Sequence, residues 1–237
     1  MLGNSNITFI VKLVSVAVND IHVSIYPMNI GLVAVSGKPL HAGHVGLIQI
    51  AASENDIVKL FVSTSDRKRP GELPILGSDM LRIWKEHLEA IMPENVEITY
   101  GGSPIANIWK VLGEANESGN MDDTFTVYAD PDDLATNFPE KSLNKYAGNL
   151  WNNKKIILKP IQRTQTVDVS GTKMRSYLAA GDKASFVKNL PPGVDGEAIW
   201  NILSKQTTEA LLKSWISLLI GLRKGPQGSA SEKRGKP

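Results

Sequence analysis

The chain contains no cysteine. Disulfides, thiolate metal sites and cysteine nucleophiles are thereby excluded, and the redox compartment is left unspecified. Net charge is scarce too: 26 Lys and Arg stand against 24 Asp and Glu, leaving +2. That balance by itself gives no reason to expect nucleic-acid binding. Of the four histidines, His22 and His87 stand at no spacing that would complete a zinc site with the other two. No apolar run approaches the about 20 residues that a membrane-spanning helix needs, so no membrane span is expected. The opening stretch from Met1 to Ile7 carries no basic region of the kind that begins a secretory signal, and cytoplasmic residence is the expectation. What is present is ordinary for a soluble globular protein, with 42% hydrophobic and 21% charged residues. The 237 residues give room for one sizeable α/β domain with appendages.

Residues 1–29 read as an N-terminal extension. Its stretch 7–18 is rich in β-branched residues and suits either a strand or a short docking helix. From residue 30 apolar runs alternate with helical patterns. Strands are expected at 30–36, 57–63, 96–100, 124–129 and 155–160. Helices are expected at about 42–53, from an N-cap at Ser78 to about Met92, from Ser103-Pro104 to about Glu117, over 171–180, over 183–190 and over about 197–222. Trp84 and Trp109 fall within helical patterns and are expected in the core. Such alternation implies an α/β fold: an open parallel sheet of about five strands with helices on both faces, followed by C-terminal helices. Residues 223–237 are rich in Gly, Ser, Lys and Arg with two prolines, and are expected to be a disordered basic tail. The tail is either merely solvated or makes weak, salt-sensitive contacts with nucleic-acid phosphates.

The most informative segment runs from Ile30 to Ile48. An apolar strand ends in the turn Ser36-Gly37-Lys38-Pro39. His41 and His44 then flank Gly43 at the start of a helix. Unpaired N–H groups and the helix dipole favour an anion at such a place. Gly43 permits close backbone approach. A lone histidine here would be structural or simply exposed; two of them beside Lys38 point to phosphate contact.

A second segment, Val169 to Arg175, sets Ser170, Gly171 and Thr172 at another helix N-terminus, with Lys173 and Arg175 in its first turn. A plain capped helix would explain the hydroxyls. The two cations oppose the dipole unless an anion is present. Between these segments, Arg67, Lys68 and Arg69 lie in a loop after the second strand, on the ligand-binding side of open α/β sheets. They are either solvated surface or an acceptor- or phosphate-closing loop. Asp130, Asp132 and Asp133 follow the fourth strand, where helix capping through Asp132 competes with a nucleoside or magnesium-water contact. Gly101, Gly102 and Ser103, after the third strand, mark either a close approach to ligand or a turn.

Together, His-x-Gly-His at 41–44 and Val-Ser-Gly-Thr-x-x-Arg at 169–175 resemble the signatures of the nucleotidyltransferase superfamily, in its adenylyltransferase- and cytidylyltransferase-like branch. The resemblance covers about 30–190 and is closest to nicotinamide-mononucleotide adenylyltransferase-like proteins and to similar members encoded by bacteriophages. It implies a Rossmann-like domain. It also implies transfer of a nucleotidyl group, adenylyl first, from a nucleoside triphosphate carrying Mg²⁺ to a phosphomonoester, with release of pyrophosphate. His41 and His44 would then contact the α- and β-phosphates, and Ser170, Thr172 and Arg175 the β- and γ-phosphates. Many members carry Gly-(Arg/Ser)-Phe-(Gln/Asn/Asp)-Pro where Val35 to Pro39 stand here, and Lys38 takes the place of a basic phosphate ligand. Cytidylyl transfer, or adenylyl transfer to pantetheine phosphate or flavin mononucleotide, belongs to the same fold. A non-catalytic nucleotide-binding or structural protein is the reading from another class. Small-molecule substrates are the expected partners, and homo-oligomerisation is compatible with the family.

Overall fold

The structure is a computed structural model, and it describes residues 26–69, 72–162, 167, 169–205 and 216. Five strands form one sheet: β1 (Asn29–Val35), β2 (Ile57–Val62), β3 (Val96–Tyr100), β4 (Thr124–Ala129) and β5 (Ile156–Pro160). Their order is β3-β2-β1-β4-β5, and every pairing is parallel. The α/β open-sheet expectation is therefore met.

Side-chain alternation divides β1, β2 and β4 between two cores, while the edge strands β3 and β5 each serve one. Along β1, Val33 and Val35 enter one cluster with Leu60, Val45 and Met174. Ile30 and Leu32 enter the other with Phe125, Ile108 and Leu143. The first face is covered by α1 (Ala42–Glu54), α2 (Gly77–Ile83), α6 (Gly171–Ala180), α7 (Lys183–Lys188) and a helix α8 over 196–205. The second is covered by α3 (Pro104–Ser118), α4 (Pro131–Asn137) and α5 (Glu140–Asn152). Helices thus cover both faces of the central strands, as a parallel sheet requires.

This division positions the site. The connection from β1 runs through α1 on one face, whereas the connection into β4 runs through α3 on the other. β1 and β4 are neighbours, so a crevice opens at their carboxyl ends, the topological switch point where such sheets bind ligands.

Several local expectations need correction. Ser78 does not cap α2. The helix starts at Gly77, Leu76 occupies the cap position, and the Asp66 carboxylate accepts the Gly77 N–H at 2.8 Å from eleven residues upstream. Gly77 is demanded by contact: a Cβ there would lie 1.7 Å from the Thr64 carbonyl oxygen. The helix expected to reach Met92 changes pitch instead, through a π turn at Trp84–Leu88 and a 3₁₀ turn at Glu89–Ile91. α4 is capped by Asp130, whose side chain accepts the Asp133 N–H at 2.9 Å, and not by Asp132. Of the helix expected over 197–222, the described part is 196–205 and Ile216. The 7–18 segment and the 223–237 tail lie outside the described residues. No described helix is long and apolar enough to cross a membrane.

Candidate functional site

The crevice holds two adjoining lobes. The first, of about 450 Å³, is lined by the end of β1 and β4, the start of α3, and Phe138, Ile161 and Val169. Its polar groups include His41, His44, Ser103, Asp130 and Asp133. The second, of about 480 Å³, is lined by Gly37, Lys38, Ser63, Ser65, Asp66, Arg67, Lys68, Arg69, Thr172 and Arg175. Ser36, His44, Ser170 and Gly171 border both. One lobe is thus mixed apolar and acidic, the other strongly cationic, with His44 at their junction.

The turn after β1 builds the junction. Gly37 adopts a φ of +37°, a conformation that suits glycine. His41 occupies the cap position of α1 in extended backbone, and the Ala42 N–H donates to the Asn189 carbonyl at 3.0 Å. The His41 backbone N–H donates to His44 Nδ1 at 3.4 Å, a long bond. The two rings lie 3.9 Å apart between centroids, tilted by 35°. Burial, with His41 beside it, pushes the His44 pKa down to about 3. His44 is therefore neutral near pH 7. Because Nδ1 accepts, its proton sits on Nε2. Gly43 lies against the segment preceding α6: a Cβ there would be 2.9 Å from the Val167 carbonyl oxygen.

Lys38 is buried at 8% exposure. Its Nζ donates to Ser63 Oγ at 3.0 Å and Ser65 Oγ at 2.9 Å. Burial pulls its pKa below the usual lysine range; Asp66 opposes the shift and Arg67 adds to it. A buried ammonium held by neutral hydroxyls gains strongly when an anion arrives.

α6 brings the second motif to the same place. Ser170 caps the helix, its Oγ accepting the Lys173 N–H at 3.1 Å. Arg175 is 7% exposed. Its Nη1 donates to the Lys38 carbonyl and its Nη2 to Thr172 Oγ1, both at 2.9 Å. The guanidinium therefore ties α6 to the β1–α1 turn, two segments 137 residues apart. Burial lowers the Arg175 pKa, Arg67 and Arg69 lower it further, and Glu72 opposes them. The Lys173 side chain is exposed and is not among the residues lining either lobe.

All three cations of the loop after β2 line the second lobe. Lys68 pairs with Asp66 at 2.7 Å, and Arg67 pairs with Glu72 at 2.8 Å. Asp130 lines the first lobe while it caps α4. Gly101 and Gly102 both take positive φ and make the turn into α3. Trp84 is fully buried; Trp109 is half-buried, stacked on Phe138 at 5.3 Å, and its indole N–H donates to the Asn137 carbonyl.

Ser63, Ser65, Phe138 and Glu72 carry no expectation as site residues from the sequence, whereas Ser103, expected at a ligand approach or a turn, lines the first lobe. Ser63 and Ser65 alternate past the carboxyl end of β2, a position that marks ligand contact in this architecture. Glu72 pairs with Arg67 five residues upstream in the same loop, but its contact with Arg175 comes only through the tertiary fold. Among the described residues, no group of three or more histidine or carboxylate side chains gathers as a metal ion would require.

No family model and no curated protein sequence matches the chain. Among solved structures, it is similar to one described as a "Putative Nicotinate-nucleotide Adenylyltransferase" from Vibrio parahaemolyticus, at 15% identity and a TM-score of 0.46, covering 74% of this chain and 97% of that one.

Proposed function

We propose that the protein is a nucleotidyltransferase. It moves a nucleotidyl group, adenylyl first, from a magnesium nucleoside triphosphate to a phosphomonoester such as nicotinamide mononucleotide and releases pyrophosphate. The observation that carries this reading is the Arg175–Lys38 contact, 2.9 Å long, which joins two phosphate-favouring turns on one cleft. The cationic lobe suits the β- and γ-phosphates. The lobe lined by Phe138, Ser103 and Asp130 offers an apolar wall and hydrogen-bond acceptors of the kind a nucleoside and acceptor need.

The chemistry follows from the charges. An acceptor phosphate oxygen forms a bond to the α-phosphorus, the bond from that phosphorus to the β-bridging oxygen breaks, and the electron pair leaves on pyrophosphate. A phosphomonoester is largely dianionic at neutral pH, its second pKa being about 6, so no general base is needed. The protein's task is to bring two anions into line and to stabilise charge on the equatorial and leaving oxygens. His44, neutral with its proton on Nε2, would donate to a phosphate oxygen without first giving up charge to solvent. Lys38, Arg175 and the arginines after β2 would offset the charge that collects on the leaving group. Mg²⁺ enters as part of the nucleotide substrate, held mainly by phosphate and water.

The test is pyrophosphate release with Mg²⁺, ATP or CTP, and a panel of phosphomonoesters. One acceptor should support release. His44→Ala should lower it by about 100-fold or more while the chain stays folded. Near-normal turnover in that variant would remove His44 from its role, and silence with every pair would refute the reading.

A further inference from the structure

Glu72 belongs to neither motif, yet its carboxylate gathers guanidinium contacts from two elements. Arg67 donates through Nε to Oε2 at 2.9 Å and through Nη2 to Oε1 at 3.1 Å. Arg175 Nε stands 3.1 Å from Oε2. The Arg67 contact is the two-bond, edge-on geometry by which arginine holds carboxylate or phosphate alike.

Arg67 is fixed through its main chain and Arg175 through its guanidinium. The Arg67 backbone exchanges two hydrogen bonds with Ile75, at 2.8 and 3.0 Å. Arg175 is anchored on the Lys38 carbonyl and Thr172. The carboxylate is less confined: the Glu72 side chain is 32% exposed where that of Arg175 is 8% exposed. Glu72 can turn to water, whereas Arg175 cannot. The cations also crowd one another, since Arg67 lowers the pKa of both Lys38 and Arg175. Glu72 relieves that crowding.

We propose that Glu72 is an internal competitor for the substrate's polyphosphate: it holds the Nε–Nη2 edge of Arg67 and the Nε of Arg175 while the lobe is empty, and cedes those donors to phosphate. It thereby sets how tightly triphosphate is taken up and how readily pyrophosphate leaves. This rests on the cationic lobe being the phosphate seat in the proposed reaction. A carboxylate serving only to support the arginines would have the opposite effect when removed, so the sign of the change decides.

Inorganic tripolyphosphate and pyrophosphate are titrated calorimetrically into the wild-type chain, Glu72→Gln and Glu72→Ala. Both variants should bind at least about fivefold more tightly, because the lobe gains a unit of positive charge and frees its donors. Their affinity should also fall more steeply with added NaCl. Unchanged or weaker binding in folded variants overturns the proposal. A variant that folds only with tripolyphosphate present, or in neither condition, shows a supporting carboxylate and overturns the proposal. Turnover plays no part in this test. Binding without any nucleotidyl transfer would end the proposed function and leave Glu72 its role, while transfer with no tighter binding in Glu72→Gln would do the reverse.

Discussion

Replacing Arg175 with Met keeps the length of the side chain and removes every donor. The Lys38 carbonyl then loses its Arg175 hydrogen bond. An unsatisfied buried acceptor costs about 1–3 kcal/mol. Glu72 keeps Arg67 but loses its second guanidinium; at its partial exposure that contact contributes up to about 1 kcal/mol. Thr172 can turn its hydroxyl to solvent at little cost. The sum is about 1–4 kcal/mol, which for a domain of this size lowers the melting midpoint by roughly 2–16 °C. Arg175→Lys should fall between wild type and Arg175→Met, because a single ammonium cannot serve three acceptors set in a planar fork. Thermal and urea unfolding of the three proteins provide the assay. A loss below about 1 kcal/mol in Arg175→Met would refute the claim that this guanidinium ties α6 to the β1–α1 turn.

The His44 pKa, pushed down to about 3, lies below its ordinary value of 6.5, so the unfolded chain takes up a proton that the folded chain refuses. Stability from this group is complete above pH 6.5 and falls by at most about 1.4 kcal/mol per pH unit from there toward pH 3; His44→Gln should flatten the urea-midpoint profile by one proton in that window, and identical slopes would contradict the assignment. Lys38→Met should weaken tripolyphosphate binding by about tenfold or more, since a buried charge-assisted donor is lost, and calorimetry that finds equal affinity would remove Lys38 from the phosphate seat. Gly77→Ala must separate α2 from Thr64, whose carbonyl oxygen would lie 1.7 Å from the new Cβ. A loss of about 2–3 kcal/mol is expected, and a melting curve like that of wild type would show that the contact yields easily.

The five strands were legible because each is a short β-branched or apolar run between turn residues, and all fall within a residue or so of the expected limits. Ser103-Pro104 was legible as a capped helix start for a reason local to those residues. Asp130-Pro131 repeats the same pattern, and the rule that finds one cap finds the other; Asp132 misled because it lies inside the first turn. The pitch change after Ile83 was not legible, since the apolar spacing around Trp84 and Leu88 serves a π turn as well as an α-helix. Nor was the α2 cap, whose carboxylate comes from Asp66. The candidate site shows the same division. His41, His44, Ser170 and Arg175 were visible through spacing and position at strand–helix junctions. The shared cleft, the Lys38–Ser63–Ser65 cluster and the Glu72 bridge depend on contacts between segments that meet only once the sheet has assembled.

The central claim concerns which phosphorus is transferred. Nucleoside triphosphate labelled at the α-phosphate, and separately at the γ-phosphate, is incubated with Mg²⁺ and the accepting phosphomonoester, for wild type and His44→Ala. The account predicts that α-label appears in a dinucleotide product, that γ-label leaves in pyrophosphate, and that both events collapse together in the variant. Gamma-label in the acceptor, or α-label released only as free nucleoside monophosphate, would contradict it.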